Sequence, residues 1–268
     1  MRTTTKFLFA LAVAAAAVAL NGCGGGDDAP TSPGSGTMTL DSATAEEFSL
    51  EALGTVNEIV LAVPDFASGA FDAFSVAGQP VAKAAGDSVA WDPAQQAWVF
   101  AYAGPLFEMD PPNEWNLSLD LWVQYRTPAG PQQHPLGATE MQVRYGVGMD
   151  IHQEDAEGVF DLVYDTDTDM TAAFLGQDTY AVTGSGSADV SVSQVTPQGS
   201  QSGTFGMTWT VDVVTAAGGC PSGTATVRTQ AWTLAAEYDG QGGVAWSLTG
   251  PNWQSSGSDT LACGQPAS

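Results

Sequence analysis

From about residue 87 onward, apolar and polar side chains alternate with a period of two, the signature of strands that bury one face. Residues 117–125 set Leu117, Leu119, Leu121, Val123 and Tyr125 against Ser118, Asp120, Trp122 and Gln124. Residues 141–152 repeat this, with Met141, Val143, Tyr145, Val147, Met149 and Ile151 against Gln142, Arg144, Asp150 and His152. Phe160, Leu162 and Tyr164 continue the pattern, and Phe205, Met207, Trp209, Val211 and Val213 form another strand. Trp91 to Trp98 reads as a hairpin turning at Asp92-Pro93, and segments 179–195, 223–237 and 243–249 bring the series to about eight to ten strands. Connections such as Pro128-Ala129-Gly130, Ala217-Gly218-Gly219 and Asp239-Gly240-Gln241-Gly242-Gly243 leave no room for crossover helices, so the sheet is antiparallel. The expected fold is mainly β: an antiparallel meander forming a curved sheet, half-barrel or barrel.

Ahead of the strands the period becomes helical. Thr44-Ala45-Glu46-Glu47 fits a capping box, and Ala45, Phe48, Ala52, Leu53, Val56, Ile59, Val60 and Val63 recur at helical spacing. Pro64 limits the far end, which predicts one N-terminal α-helix over about 44–62. Its apolar stripe suits packing on a sheet; a lid over a ligand cavity is the alternative.

The first residues read as an export signal. Arg2 and Lys6 precede an unbroken apolar run, Phe7 to Leu20, shorter than the ~20 residues a spanning helix needs. Leu20-Asn21-Gly22-Cys23 follows, and this resembles the lipobox of bacterial lipoproteins. The resemblance covers only these residues. It implies a diacylglycerol on the Cys23 thiol, cleavage that makes Cys23 the first mature residue, and a membrane partner held through that lipid. In that family an Asp directly after the Cys retains some products at the inner membrane; Gly24 stands here, which points to the outer membrane or cell surface. Residues 23–38 are rich in Gly, Ser and Pro and read as a flexible tether with a reach of roughly 20 Å. The expected organisation is a signal peptide at 1–22, the tether at 23–38 and one β-rich domain at 39–268.

Charge narrows the partners. The chain carries 6 Lys+Arg against 30 Asp+Glu. With the signal removed only Lys83, Arg126, Arg144 and Arg228 remain as cations, a balance of −26. Phosphate binding needs a basic footprint, so a nucleic-acid partner is excluded. Once Cys23 is assigned to lipid, Cys220 and Cys263 remain as a pair in an oxidising compartment, and a disulfide between them is expected.

Candidate chemistry is sparse. Asp165, Asp167 and Asp169 resemble the opening of a calcium loop, but Met170 and Gly176 stand where that loop has Gly and Glu. They read as a solvated turn between Tyr164 and Phe174, with a surface metal site as the alternative. Gly86-Asp87-Ser88-Val89 superficially resembles the nucleophile block of GDS-type esterases, yet neither His134 nor His152 sits three residues after an Asp near the C-terminus. Asp150, Glu154, Asp155, Glu157 and Asp161 surround His152, and Asp150, His152 and Glu154 are the catalytic candidates for a carboxylate-dependent hydrolase. Acidic hairpin ends are usually just solvated. Eight tryptophans suit a core or the wall of a carbohydrate or lipid pocket. Trp122, on the polar face of its strand, needs a partner or a ligand. No cofactor is implied. The expected function is a non-enzymatic, lipid-anchored binding or scaffolding module of the cell envelope. A carrier of a lipid or other apolar ligand is one alternative, and the carboxylate-dependent hydrolase is another.

Overall fold

The alternating segments become long strands because each supplies an apolar row for one face and a polar row for the other. The computed structural model describes residues 89–105, 110–156, 158–177, 179–197, 199–216, 219–261 and 263. Cys23, the tether and the predicted helix at 44–62 lie outside them. The strands are β1 (Ala90–Asp92), β2 (Ala97–Pro105), β3 (Glu114–Thr127), β4 (Gly130–Gln132), β5 (Glu140–Asp155) and β6 (Gly158–Gly176). They continue with β7 (Thr179–Thr196), β8 (Gly199–Ala216), β9 (Ser222–Thr229), β10 (Thr233–Asp239), β11 (Gly243–Thr249) and β12 (Gln254–Thr260). All belong to one 12-stranded antiparallel sheet in the order β1-β2-β3-β5-β6-β7-β8-β9-β10-β11-β12, with β4 beside β3. β1 and β12 end this path, so among the described residues the sheet is open. No helix of the described residues is long and apolar enough to cross a membrane.

Three sequence expectations need correction. The strands number 12 rather than about eight to ten. Segment 223–237 is two strands, because Thr229 turns the chain: its Oγ1 accepts from the backbone N–H groups of Ala231 and Trp232, both at 3.1 Å. Asp165, Asp167 and Asp169 form no turn; they lie inside the 19-residue strand β6. Aspartate disfavours strands on average, but here all three project to the polar face while Tyr164, Thr166, Thr168 and Met170 fill the other.

The apolar face carries two clusters of buried side chains. The larger runs from Val123 and Tyr125 on β3 to Val244 and Leu248 on β11. The smaller comprises Met149, Ile151, Leu162, Tyr164, Ala188, Val190 and Val192 on β5, β6 and β7. Between them Trp209 lies across Gly186, its direct register partner on β7. Trp246 lies the same way across Gly257 of edge strand β12. In each pair an indole covers the gap that a missing side chain leaves.

Strands β5 to β8 exceed the rest in length. β9 pairs with β8 only along Met207–Val214, so β9 to β12 flank only part of β8. The turns at 155–158 and 196–199 define the upper end of the sheet; those at 127–130 and 176–179 define the lower end. Near the lower end Cys220 and Cys263 lie at disulfide distance, their Cα atoms 5.1 Å apart. β9 and β12 are three strand spacings apart, ~14 Å, so their extensions must converge past the β10–β11 turn. Two backbone bonds guide them: Gly240 donates to Pro221 at 2.9 Å and Leu261 to Gly242 at 2.7 Å.

Candidate functional site

Antiparallel register turns the polar face into rows of side chains that run across the strands. One row near the upper end joins Glu114 (β3), His152 (β5), Asp161 (β6) and Ser193 (β7). The His152 Nδ1–H donates to Asp161 Oδ1 at 2.6 Å, and Ser193 Oγ donates to Asp161 Oδ2 at 3.0 Å. Asp161 holds the imidazole above its ordinary value through that hydrogen bond, with Coulombic help from Asp161, Glu154 and Glu114 and opposition from desolvation. The same bond holds the Asp161 carboxyl low, and the Ser193 hydroxyl adds to it. The His152 and Asp161 side chains are 37% and 44% exposed, so water screens the pair.

The chemistry open to this row is limited by its order. A nucleophilic serine needs the base beside it and the carboxylate behind the base. Here the carboxylate stands between serine and imidazole, and the serine proton already points at it. Asp150 and Glu154 flank His152 on the same face of β5, both exposed. Four residues apart on a strand, their backbones are separated by ~13 Å, more than the ~5–9.5 Å between the carboxyls of glycosidase pairs. The structure therefore brings His152 to Asp161 and Ser193, while Asp150 and Glu154 line the same exposed face to either side.

A second row, towards the lower end, joins Trp122 (β3), Arg144 (β5) and Asp169 (β6). The Arg144 guanidinium carbon lies 4.8 Å from the Trp122 ring centroid. Its Nε donates to Asp169 Oδ2 at 2.9 Å, and Gln142 Nε2 donates to Asp169 Oδ1 at 3.1 Å. The polar-face tryptophan thus has a partner within the chain. A stacked guanidinium covers its π surface, and a carboxylate holds the guanidinium in place.

Asp165 and Asp167 stand on the rows between, at alternate positions of β6. Asp165 directly faces Asp189 of β7, beside a shallow depression of about 270 Å³ lined by Val163, Ser191, Thr204 and Gln230 among others. Alternate residues of a strand stand ~7 Å apart and side by side on one face rather than converging on a point. Among the described residues no three His, Cys, Asp or Glu side chains group as a metal ion requires.

The His152–Asp161 contact spans 9 residues and the Ser193–Asp161 contact 32, and neither leaves a local signal in the sequence. Only the hairpin register could have revealed them. Compared with protein-family models, with curated proteins and with solved structures, the chain matches none.

Proposed function

We propose that the chain is an exported, lipid-anchored, non-enzymatic binding module of the cell envelope, whose sheet curls toward its apolar face and presents its polar face to partners. One observation carries this reading: the apolar face is filled by its own side chains. Tyr125, Tyr164, Leu234 and Leu248 are each exposed by no more than 2%. That face is occupied by folding, which leaves the cross-strand rows of the polar face as the surface a partner meets. The lipobox resemblance at Leu20–Cys23 supplies the anchor. A filled core speaks against a carrier of apolar ligands, and the ~13 Å between Asp150 and Glu154 along β5 speaks against the carboxylate-dependent hydrolase.

The test has two arms. Metabolic labelling with a fatty acid is expected to mark the wild-type chain and not the Cys23→Ser variant; equal labelling of both overturns the anchor. Native mass spectrometry of the Cys23→Ser chain is expected to show the bare polypeptide mass. A stoichiometric lipid released only on denaturation would establish the carrier instead.

A further inference from the structure

We infer that the lower end of the sheet docks end-on against the bilayer, so that the long hairpins stand away from the membrane; this rests on the proposed anchor at Cys23. The two most exposed large apolar side chains, Leu136 at 90% and Leu175 at 59%, share the lower end with Phe174 and Val214, whereas Val195 at 50% and Val163 towards the upper end are single valines on separate strands. Register continues the strip on the polar face: Ala173 faces Ala181, and Ala181 faces Val214. The Phe174 N–H donates to the Thr139 carbonyl at 2.9 Å, tying the end of β6 to the loop that bears Leu136.

That loop is built rather than loose. Gln132 Nε2 donates to the carbonyls of His134 at 2.6 Å and Leu136 at 3.1 Å. The Ala138 N–H donates to the Pro135 carbonyl at 2.9 Å, and Trp98 Nε1 donates to the Gln133 carbonyl at 2.8 Å. These bonds fix the loop so that its leucine is held out into water beside the end of β6, and it is the grouping with Leu175 and Phe174, not one exposed leucine, that makes an apolar tip.

Size selects the occupant. The four side chains expose roughly 400 Å² of apolar surface, about half of the ~800 Å² each partner of a stable protein complex buries. A bilayer sets no such minimum, because an acyl anchor already holds the protein at the surface and a few apolar tips then suffice to orient it. Much of the remaining surface is acidic and would be repelled by anionic lipid, which favours contact through an apolar tip. The nearby ion pair of Arg126 and Glu140, at 3.5 Å, compensates its own charge. In this pose β6, with 19 residues, reaches roughly 60 Å, and its upper end holds the His152 row far from the membrane.

The full acylated chain would be reconstituted into phosphatidylcholine vesicles with brominated acyl chains. A thiol dye would be placed at Leu136→Cys or Leu175→Cys, with Val195→Cys at the upper end as reference. Dye at 136 and 175 is expected to shift to the blue and be quenched by bromine, while dye at 195 is unchanged. Chains that float with the vesicles but show equal emission at all three positions overturn the docking and leave the anchor standing. Chains that do not float overturn the anchor and the docking together. A blue shift at 136 that arises without vesicles, with a doubled mass in solution, overturns the docking in favour of a second copy of the chain.

Discussion

Gly186→Ala should destabilise the protein, whereas Gly146→Ala should not. Both glycines lie inside long strands, and neither has positive φ, so alanine fits both backbones. They differ in what a methyl group would meet. At Gly186 it would lie 2.6 Å from Cε2 and Cζ2 of Trp209 and 2.5 Å from the Asp167 carbonyl oxygen. The indole can tilt away, but the carbonyl belongs to a strand bonded on both sides and cannot. Overpacking of this kind costs about 1–3 kcal/mol, and removing a glycine from a strand returns about 0.5–1 kcal/mol, so the net loss is ~1–2 kcal/mol. At Gly146 the nearest atom, the Thr166 carbonyl oxygen, is 3.4 Å away, an ordinary contact. That variant should be neutral or gain up to ~1 kcal/mol. The two should therefore differ by about 2 kcal/mol in urea unfolding followed by far-ultraviolet circular dichroism. Replacing Trp209 with Leu should relieve part of the Gly186→Ala loss, a coupling of about 1 kcal/mol in a double-mutant cycle. Equal stability of the two alanine variants, within ~0.5 kcal/mol, would refute the placement of Trp209 over Gly186.

Three further outcomes are expected. The variant Cys220→Ala/Cys263→Ala opens a loop of sequence separation 43 and should lose about 4 kcal/mol in the same assay; a loss below ~1 kcal/mol would mean that the cross-link constrains nothing. Burial raises the Tyr164 and Tyr238 phenols from 10.0 to about 12, so the folded chain favours their neutral form. That contribution, up to ~3 kcal/mol each, is present below pH 10 and lost as pH rises through about 12; phenolate absorbance that develops near pH 10 in still-folded protein would contradict it. His152 should titrate above 6.5 by nuclear magnetic resonance and fall towards that value in Asp161→Asn, its stabilisation present at acid pH and lost as pH rises through the shifted value; an unchanged titration would show that the Nδ1 bond does not persist in solution.

Much of the sheet was legible because strand pattern depends on near neighbours. Residues 117–125 and 141–152 fall inside β3 and β5 on the faces expected, and 243–249 coincides with β11. The Asp-Thr-Asp-Thr-Asp stretch differs from the expected turn because carboxylates at alternate positions serve a calcium loop and the wet face of a strand equally well. What separates the two is the apolar character of Tyr164 and Met170 at its borders, which continues the period of two. The break at Thr229 leaves little mark in the pattern because Thr is a good strand former; its hydroxyl becomes a turn former only when the N–H groups two and three residues on lack a neighbouring strand. The position of Trp122 on the polar face is visible in the pattern, yet its partner Arg144 lies across a register that pattern alone leaves open.

That register is where local turn chemistry decides the candidate site. Thr127–Gly130, Asp155–Gly158 and Thr196–Gly199 each pair their first and last residues across a two-residue tip. In each, the side-chain oxygen of the first residue bonds within the turn: Ala129 donates to Thr127 Oγ1, Gly158 to Asp155 Oδ1, and Thr196 Oγ1 to the Gly199 carbonyl, all at 3.2 Å. Gly158 has φ of 148° and abuts the Val195 backbone, so a side chain there is opposed both by conformation and by space. With that turn fixed, every residue of β5 meets the residue of β6 at the same distance from the tip. His152 then faces Asp161, and Arg144 faces Asp169, 25 residues along the chain. A slip of one residue would send β6's carboxylates to the apolar face, where burial of unpaired charge is prohibitive. The same alternation that lets the apolar face pack therefore also assembles the two polar rows, and a four-residue turn specifies contacts far longer in range than itself.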